Sequence, residues 1–318
     1  MKVFVAGATG VLGRRLVRLL HERGHSVVGL ARRPENERVI RALGGESRPG
    51  NLFNADSLAR AAEGADVIVH AATAIPGSRR VTAPDFALND RIRTEGTRAL
   101  AAAAAKIGAR AFLFQSIVWI ASPPDGSPFD ESSPVSSNPF YGATIEGEAI
   151  THESGEKFGF AAGVLRCGWF YSSDSAHTRF MGREIARRRL PVIGRGDAVW
   201  SPLHVDDAAS AFAAASTAPR KGLWHVVDDT PVPGAEFLRY FAERLGSRPP
   251  FRVPRWLARL LAGEYTVAFL TMSTRASNAR FRKDFGWAPH YPSYREGLDQ
   301  IVSAWHREGF LIGKARTA

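Results

Sequence analysis

At 318 residues, 45% of them hydrophobic, the chain can bury a sizeable core as one large domain or two smaller ones. No apolar run approaches the ~20 residues of a membrane span, the N-terminus lacks a signal-peptide pattern, and the single cysteine, Cys167, excludes an internal disulfide and a Cys/His zinc cage. The net charge of +11 comes mostly from arginine in scattered groups (Arg14-Arg15, Arg32-Arg33, Arg79-Arg80, Arg187-Arg188-Arg189), without a basic tail or a helix-turn-helix, finger or RNA-binding signature. These features predict a cytoplasmic protein with a solvated basic surface and with neither a nucleic-acid nor a membrane partner.

The first predicted strand, Lys2–Ala6, runs into the loop Gly7-Ala8-Thr9-Gly10-Val11-Leu12-Gly13, which opens a helix over Val11–Arg23 ended by Gly24. A Gly-x-x-Gly-x-x-Gly loop between strand and helix is what a dinucleotide site requires. Its glycines allow a tight turn, backbone approach to a pyrophosphate and close packing of helix on strand. The helix N-terminus offers free N–H groups to the phosphates, and Thr9 adds a hydroxyl. Gly7, Thr9, Gly10, Val11 and Leu12 are therefore candidate cofactor residues. The second strand, Ser26–Leu30, ends at Ala31-Arg32-Arg33, where a carboxylate would bind a ribose 2′-hydroxyl. Arginine there suits a 2′-phosphate instead, so Arg32 and Arg33 point to NADP, with NAD as the alternative.

A helix is predicted over Ser57–Glu63, preceded by Asn51 and Leu52 as cofactor candidates. A strand over Asp66–Ala71 follows, with Ala71, Ala72 and Thr73 expected to border the cofactor. Next come a helix over Pro84–Ile107 closed by Gly108, a strand over Ala111–Gln115, a helix over Tyr141–Phe158 and a strand over Ala161–Leu165. Valine-rich runs without polar alternation suit strands covered on both faces, and their alternation with helices implies a parallel sheet with right-handed crossovers. Beyond residue 170 the pattern changes to a Ser- and Trp-containing loop, a basic helix near Met181–Arg189, a helix over Val205–Ser216 and a strand over Leu223–Val227. The rest, to about residue 308, reads as mostly helical with proline-marked turns. The predicted fold is α/β: a doubly wound parallel sheet of the Rossmann type with a smaller, mainly helical C-terminal substrate region. Residues 1–170 form the dinucleotide-binding domain with 203–228 returning to it. Residues 171–202 and 229–310 form the substrate region, and 311–318 a tail.

With Ala6–Gly13, Gly64–Ala72, Glu95–Leu100, Asn138–Gly142, Leu203–Ala208 and Phe285–Pro289 in this order, the sequence resembles an extended short-chain dehydrogenase/reductase of the NAD-dependent epimerase/dehydratase type over nearly its whole length. The resemblance implies a Tyr-x-x-x-Lys pair, a Ser or Thr on the preceding strand, and often an Asn on an earlier helix. The lysine lowers the tyrosine pKa, which otherwise lies near 10, so that the hydroxyl can exchange a proton with the substrate oxygen as hydride moves. Tyr141 falls on the tyrosine. Ile145 stands in place of the lysine, Ile117 in place of the Ser/Thr, and Arg93 in place of the Asn. Ser116, one residue from Ile117, is the substitute candidate, although strand side chains alternate faces. Arg93 supplies the missing charge only if it reaches inward; the plainer expectation is that it faces solvent or a dimer contact. The resemblance also puts Gln115, Tyr141, Cys167, Trp169 and Phe170 beside the nicotinamide, and pairs two subunits through helices 84–107 and 141–158.

His204 and Asp206-Asp207 invite a catalytic reading, but Asp206 is placed to cap the next helix. No histidine has metal-ligand spacing, and no metal is expected. The aromatic second half (Trp200, Trp256, Tyr265, Trp287, Tyr291) suits a ring-bearing small-molecule substrate or ordinary packing. The expected function is an NADP-dependent oxidoreductase reducing a carbonyl or an activated C=C. A nucleotide-sugar epimerase or dehydratase and a non-catalytic NADP-binding sensor or scaffold are the alternatives.

Overall fold

The computed structural model describes residues 1–76 and 81–310, so Arg79-Arg80 and the 311–318 tail lie outside the described residues. Seven parallel strands make the central sheet: β1 (Lys2–Ala6), β2 (Ser26–Ala31), β3 (Glu46–Pro49), β4 (Val67–His70), β5 (Ala111–Ile117), β6 (Ala161–Cys167) and, after four short strands, β11 (Gly222–Val226). Their spatial order is β11-β6-β5-β4-β1-β2-β3. Val3 of β1 pairs with Val27 of β2 on one side and with Val67 of β4 on the other. The winding reverses between β1 and β4, and such a reversal opens a crevice at the carboxyl ends of the strands.

Both faces of the sheet are covered. On one, α1 (Val11–Glu22) contributes Leu12, Leu16, Val17 and Leu20, packed with Phe212 of α8 (Val205–Thr217). On the other, Leu58 of α3 (Ala55–Ala61) and Leu100 of α5 (Thr97–Lys106) pack with Phe112 and Phe114. The continuous burial of Val3 to Ala6 and of Val67 to Val69 accounts for the unbroken apolar runs in the sequence.

Beside the first two predicted strands the structure adds a helix and a strand that periodicity did not reveal. Helix α2 (Pro34–Ala42) buries only Ile40, and β3 is the polar edge strand Glu46-Ser47-Arg48-Pro49. The helix expected over Pro84–Ile107 is corrected to a 3₁₀ turn at Ala83–Phe86, α4 (Ala87–Arg91), a π turn at Ile92–Gly96 and α5. The basic helix lies earlier than predicted, at α7 (Ala176–Ala186).

In the C-terminal region, α7, α9 (Gly234–Arg244) and α13 (Tyr294–Glu308) enclose Trp200, Phe237, Phe241, Tyr294 and Trp305. Two short helices, α10 (Arg255–Ala262) and α11 (Glu264–Leu270), join at Gly263 (φ +84°), and α12 (Ala279–Phe285) returns to pack beside β11. Asp174 accepts from Arg14 at 2.7 Å and from Arg15 at 2.8 Å, and Arg15 also pairs with Asp206. These pairs tie α1 to the loop leading into α7 and absorb the first arginine pair of the sequence.

Candidate active site

The predicted cofactor residues gather at the carboxyl edge of the sheet. Gly7 has φ +92°, and a Cβ there would lie 2.6 Å from the backbone of Ala71 and Ala72. A Cβ on Gly13 would lie 2.1 Å from the Gly7 carbonyl oxygen. Both glycines are therefore demanded by the chain itself: the strand turns sharply and the helix seats directly on it. Gly10 differs. It is exposed, and its Cβ would meet only the Gly7 oxygen, at 3.3 Å. It is also the N-cap of α1 and brings no side-chain hydrogen bond to the helix. Free N–H groups and open space above Gly10 form a cradle of the shape and polarity that a pyrophosphate needs.

Arg32 and Arg33 follow β2, both exposed, with Arg33 at the N-cap of α2. Asn51 receives the Phe53 N–H at 3.0 Å, and the buried Leu52 packs toward Gly96. Thr73 is exposed just beyond β4. Gln115 ends buried on β5, its amide donating to the Ser116 carbonyl at 2.6 Å. Cys167 ends β6, and burial pushes its thiol pKa well up. Trp169 and Phe170 lie half-buried on the short strand β7 (Trp169–Tyr171), which pairs with β10 (Pro202–His204).

Tyr141 stands just ahead of α6 (Gly142–Phe158), buried. Its hydroxyl donates to the Met272 sulfur at 3.5 Å, and burial pushes its pKa up to about 12. Its cluster contains Ile117, Val118, Trp119, Ile145, Phe269 and Met272. Both isoleucines that replace the expected Ser and Lys thus share the surroundings of the tyrosine.

Ser116 faces elsewhere. It is wholly buried, and its hydroxyl donates to Glu148 Oε1 at 2.5 Å. Arg166 clamps the same carboxylate with two bonds, of 2.9 and 2.7 Å. Ser116 is therefore corrected from a catalytic substitute to a member of a buried ionic cluster, because strand alternation turns Ile117, not Ser116, toward Tyr141.

Arg93 is also corrected. It is 3% exposed and donates to the Gln115 carbonyl at 3.0 Å. Burial brings its pKa down to about 10, against the pull of Glu148. The π turn that contains Arg93 adds a residue to the helical turn and so changes which face it occupies. Arg93 reaches inward yet does not serve Tyr141, whose raised pKa has burial as its cause.

The cap of α8 is corrected, and two of the aromatic residues fall to the packing reading. His204, not Asp206, caps α8, its Nδ1 accepting the Asp206 N–H at 3.3 Å. Trp287 and Tyr291 serve packing: Trp287 donates to Ser210 at 2.8 Å, and Tyr291 lies 4.2 Å from the His204 ring.

Sequence reasoning missed Trp119, His177, Phe269 and Met272. Phe269 stacks on Trp119 at 4.9 Å and meets Trp169 at 5.9 Å, so α11 covers the Tyr141 cluster. Trp169 donates to His177 Nε2 at 2.6 Å and sits 4.4 Å from Trp200. Beyond it opens an apolar cavity of about 190 Å³ lined by Phe180, Met181, Leu190, Val192, Trp200 and Leu238, with Arg255 at its edge. None of the four carries a local motif; chain topology alone brings them together.

The glycine cradle, the reversal of strand order beside it and the tyrosine ahead of α6 define an oxidoreductase of the dinucleotide-binding Rossmann class. The chain belongs to the NAD dependent epimerase/dehydratase family, whose sequence profile matches residues 3–226, and it is an NAD(P)-dependent oxidoreductase. It is 38% identical over 309 residues to a 3-diazoavenalumate denitrifying reductase of a Streptomyces species, covering 94% of this chain and 99% of that one. It is 28% identical to a 4-hydroxy-2-methyl-3-oxo-4-farnesyl-3,4-dihydroquinoline-1-oxide ketoreductase of Stigmatella aurantiaca, covering 96% of each. The fold matches a human epimerase family protein solved with NADPH (TM-score 0.80, 22% identity, 95% of this chain and 99% of that one). It also matches the dTDP-glucose 4,6-dehydratase of Streptomyces venezuelae solved with NAD (TM-score 0.79, 20% identity, 96% and 97%). Among the described residues, no helix is long and apolar enough to cross a membrane.

Proposed function

We propose that this chain is an NADPH-dependent reductase of an apolar, ring-bearing small molecule, and that it delivers hydride without a protein-borne proton relay. The observation that carries this reading is Tyr141: buried on Met272, flanked by Ile117 and Ile145, and protonated across the physiological range. NADPH, when bound, supplies a hydride from its nicotinamide ring. The Gly7–Gly13 cradle and the N-terminus of α1 hold the pyrophosphate, and Arg32 and Arg33 meet the 2′-phosphate. Trp169, Trp119 and Phe269 exclude water from the reacting edge, and the cavity beyond Trp169 takes the apolar part of the substrate. That lining suits a ring better than a nucleotide sugar, which argues against the epimerase alternative.

The electrophile that best fits such a site is one that needs no proton at the moment of reduction. An arenediazonium group accepts a hydride at its terminal nitrogen to give an aryldiazene; the C–N and N–H bonds then break as N2 leaves, and the released proton, carried by water, ends on the ring carbon, so the net reaction draws no proton from a protein acid. The name of the 38% identical relative supports this choice. A ring carbonyl, supported by the ketoreductase relative, is the second reading. With a carbonyl, Tyr141 or water must protonate the new alkoxide. The test compares wild type with Tyr141→Phe, following NADPH oxidation with an aryl diazonium compound and with a panel of aromatic ketones, aldehydes and enones. The expected result is turnover of the diazonium compound that changes by less than about threefold in the variant. A loss of about a hundredfold or more would assign Tyr141 as the proton donor and overturn the reading.

A further inference from the structure

Helix α10 leaves three of its four large apolar side chains exposed. Ala258 is turned to the protein, 5% exposed, while Trp256, Leu260 and Leu261 are 66, 67 and 68% exposed. Trp256 and Leu260 are one turn apart, so with Leu261 they form one exposed apolar arc, while Ala258 is buried and Leu257 half-buried. Phe251 just before the helix and Tyr265 on α11 are exposed as well. Five of the molecule's large exposed hydrophobic side chains therefore fall within fifteen residues of chain, where surface apolar groups are otherwise scattered singly. Arg252, Arg255 and Arg259 lie in the same segment, with Arg248 three residues before it, and all are exposed, against one carboxylate, Glu264, which Arg259 pairs at 3.0 Å.

We propose that α10 and α11 dock on an anionic lipid surface, with Trp256, Leu260 and Leu261 entering the headgroup boundary and the flanking arginines meeting lipid phosphates. An apolar arc with Trp and Leu, bordered by arginine, is the composition of a helix that lies in a membrane interface. Such a helix needs no spanning run, so it is compatible with the lack of one in the sequence. Charge selects this occupant over a second copy of the chain: a two-fold contact would set the same arginine-rich patch against itself. The position suits delivery of an apolar molecule, because Arg255 and Leu270, at the two ends of this segment, line the cavity beyond Trp169.

The full-length protein is sedimented with vesicles of phosphatidylcholine alone and with vesicles containing phosphatidylglycerol. The wild type is expected to bind the anionic vesicles, less so as salt is raised, with a blue shift of tryptophan emission that Trp256→Phe reduces. The double variant Leu260→Ser/Leu261→Ser, at exposed positions that leave the melting temperature unchanged, is expected to bind at least about tenfold more weakly. The proposal is overturned if the wild type stays in the supernatant with anionic vesicles, or if the double variant binds as well as the wild type. It is equally overturned if the wild type is a dimer in solution and the double variant a monomer, which would assign the face to a second copy.

Discussion

Tyr141 keeps its place in the fold but not the partners that let a tyrosine exchange protons near neutral pH. With Ile117 and Ile145 in its cluster and its hydroxyl on a thioether, it is a hydrogen-bond donor held in its neutral form. Nearby polar capacity is spent differently: Ser116 and Arg166 both bind the buried Glu148 carboxylate, and Arg93 holds the Gln115 carbonyl. Arg32 is the residue whose role is most open to a single substitution. It is exposed, so Arg32→Ala should leave the fold intact, weaken NADPH binding by about tenfold and change NADH binding by less than about twofold. Fluorescence titration of both cofactors checks this, and equal losses would remove Arg32 from 2′-phosphate recognition. These residues were differently legible in the sequence. Gly7, Gly13 and Tyr141 announce themselves by local spacing, and the two isoleucines by contrast with the resembled pattern. The inward turn of Arg93 depends on a π turn, and the direction of Ser116 on the phase of one strand, so spacing alone misplaced both.

At the scale of elements, the sheet was readable because its strands are buried on both faces and write continuous apolar runs. β3 and α2 were not, since an edge strand needs no apolar run and α2 needs only Ile40. The break within Ala83–Lys106 was hidden because Pro84 stands in the first turn, where helices accept it, and the lone Gly96 is tolerated within a helix and does not by itself mark a π turn. The site shows the same division. The residues proposed for the cofactor lie at the ends of successive strands and follow chain order. The cavity proposed for the substrate is assembled from α7, the β7–β10 pair, α9 and α11, distant in sequence, with aromatic side chains that serve cores and pockets alike.

At the scale of the whole molecule, buried histidines link stability to pH. Burial brings His70 and His204 down to about 4 and His225 to about 3, with the Arg166 charge adding to the last. Each is neutral in the folded protein, while the unfolded chain takes up protons once the pH falls below about 6.5. The unfolded state then binds more protons, and folded stability is lost progressively from about pH 6.5 down to about pH 4. Asp174 extends the loss: burial alone would raise its pKa, but Arg15 and Arg14 hold it well below the usual carboxylate range, so its contribution disappears as the pH falls below about 4. Circular dichroism melts should show a falling melting temperature between pH 7 and pH 5; an unchanged one would mean that these histidines are not held neutral.

Reduction without a tyrosine relay makes a prediction for the pH dependence of kcat/KM at saturating NADPH. With an aryl diazonium substrate, kcat/KM should be flat from about pH 7 to about pH 9, because Tyr141, at about 12, does not titrate there and no protein acid is spent. A rate that falls with a single ionisation in that range in the wild type, and becomes flat in Tyr141→Phe, would contradict it.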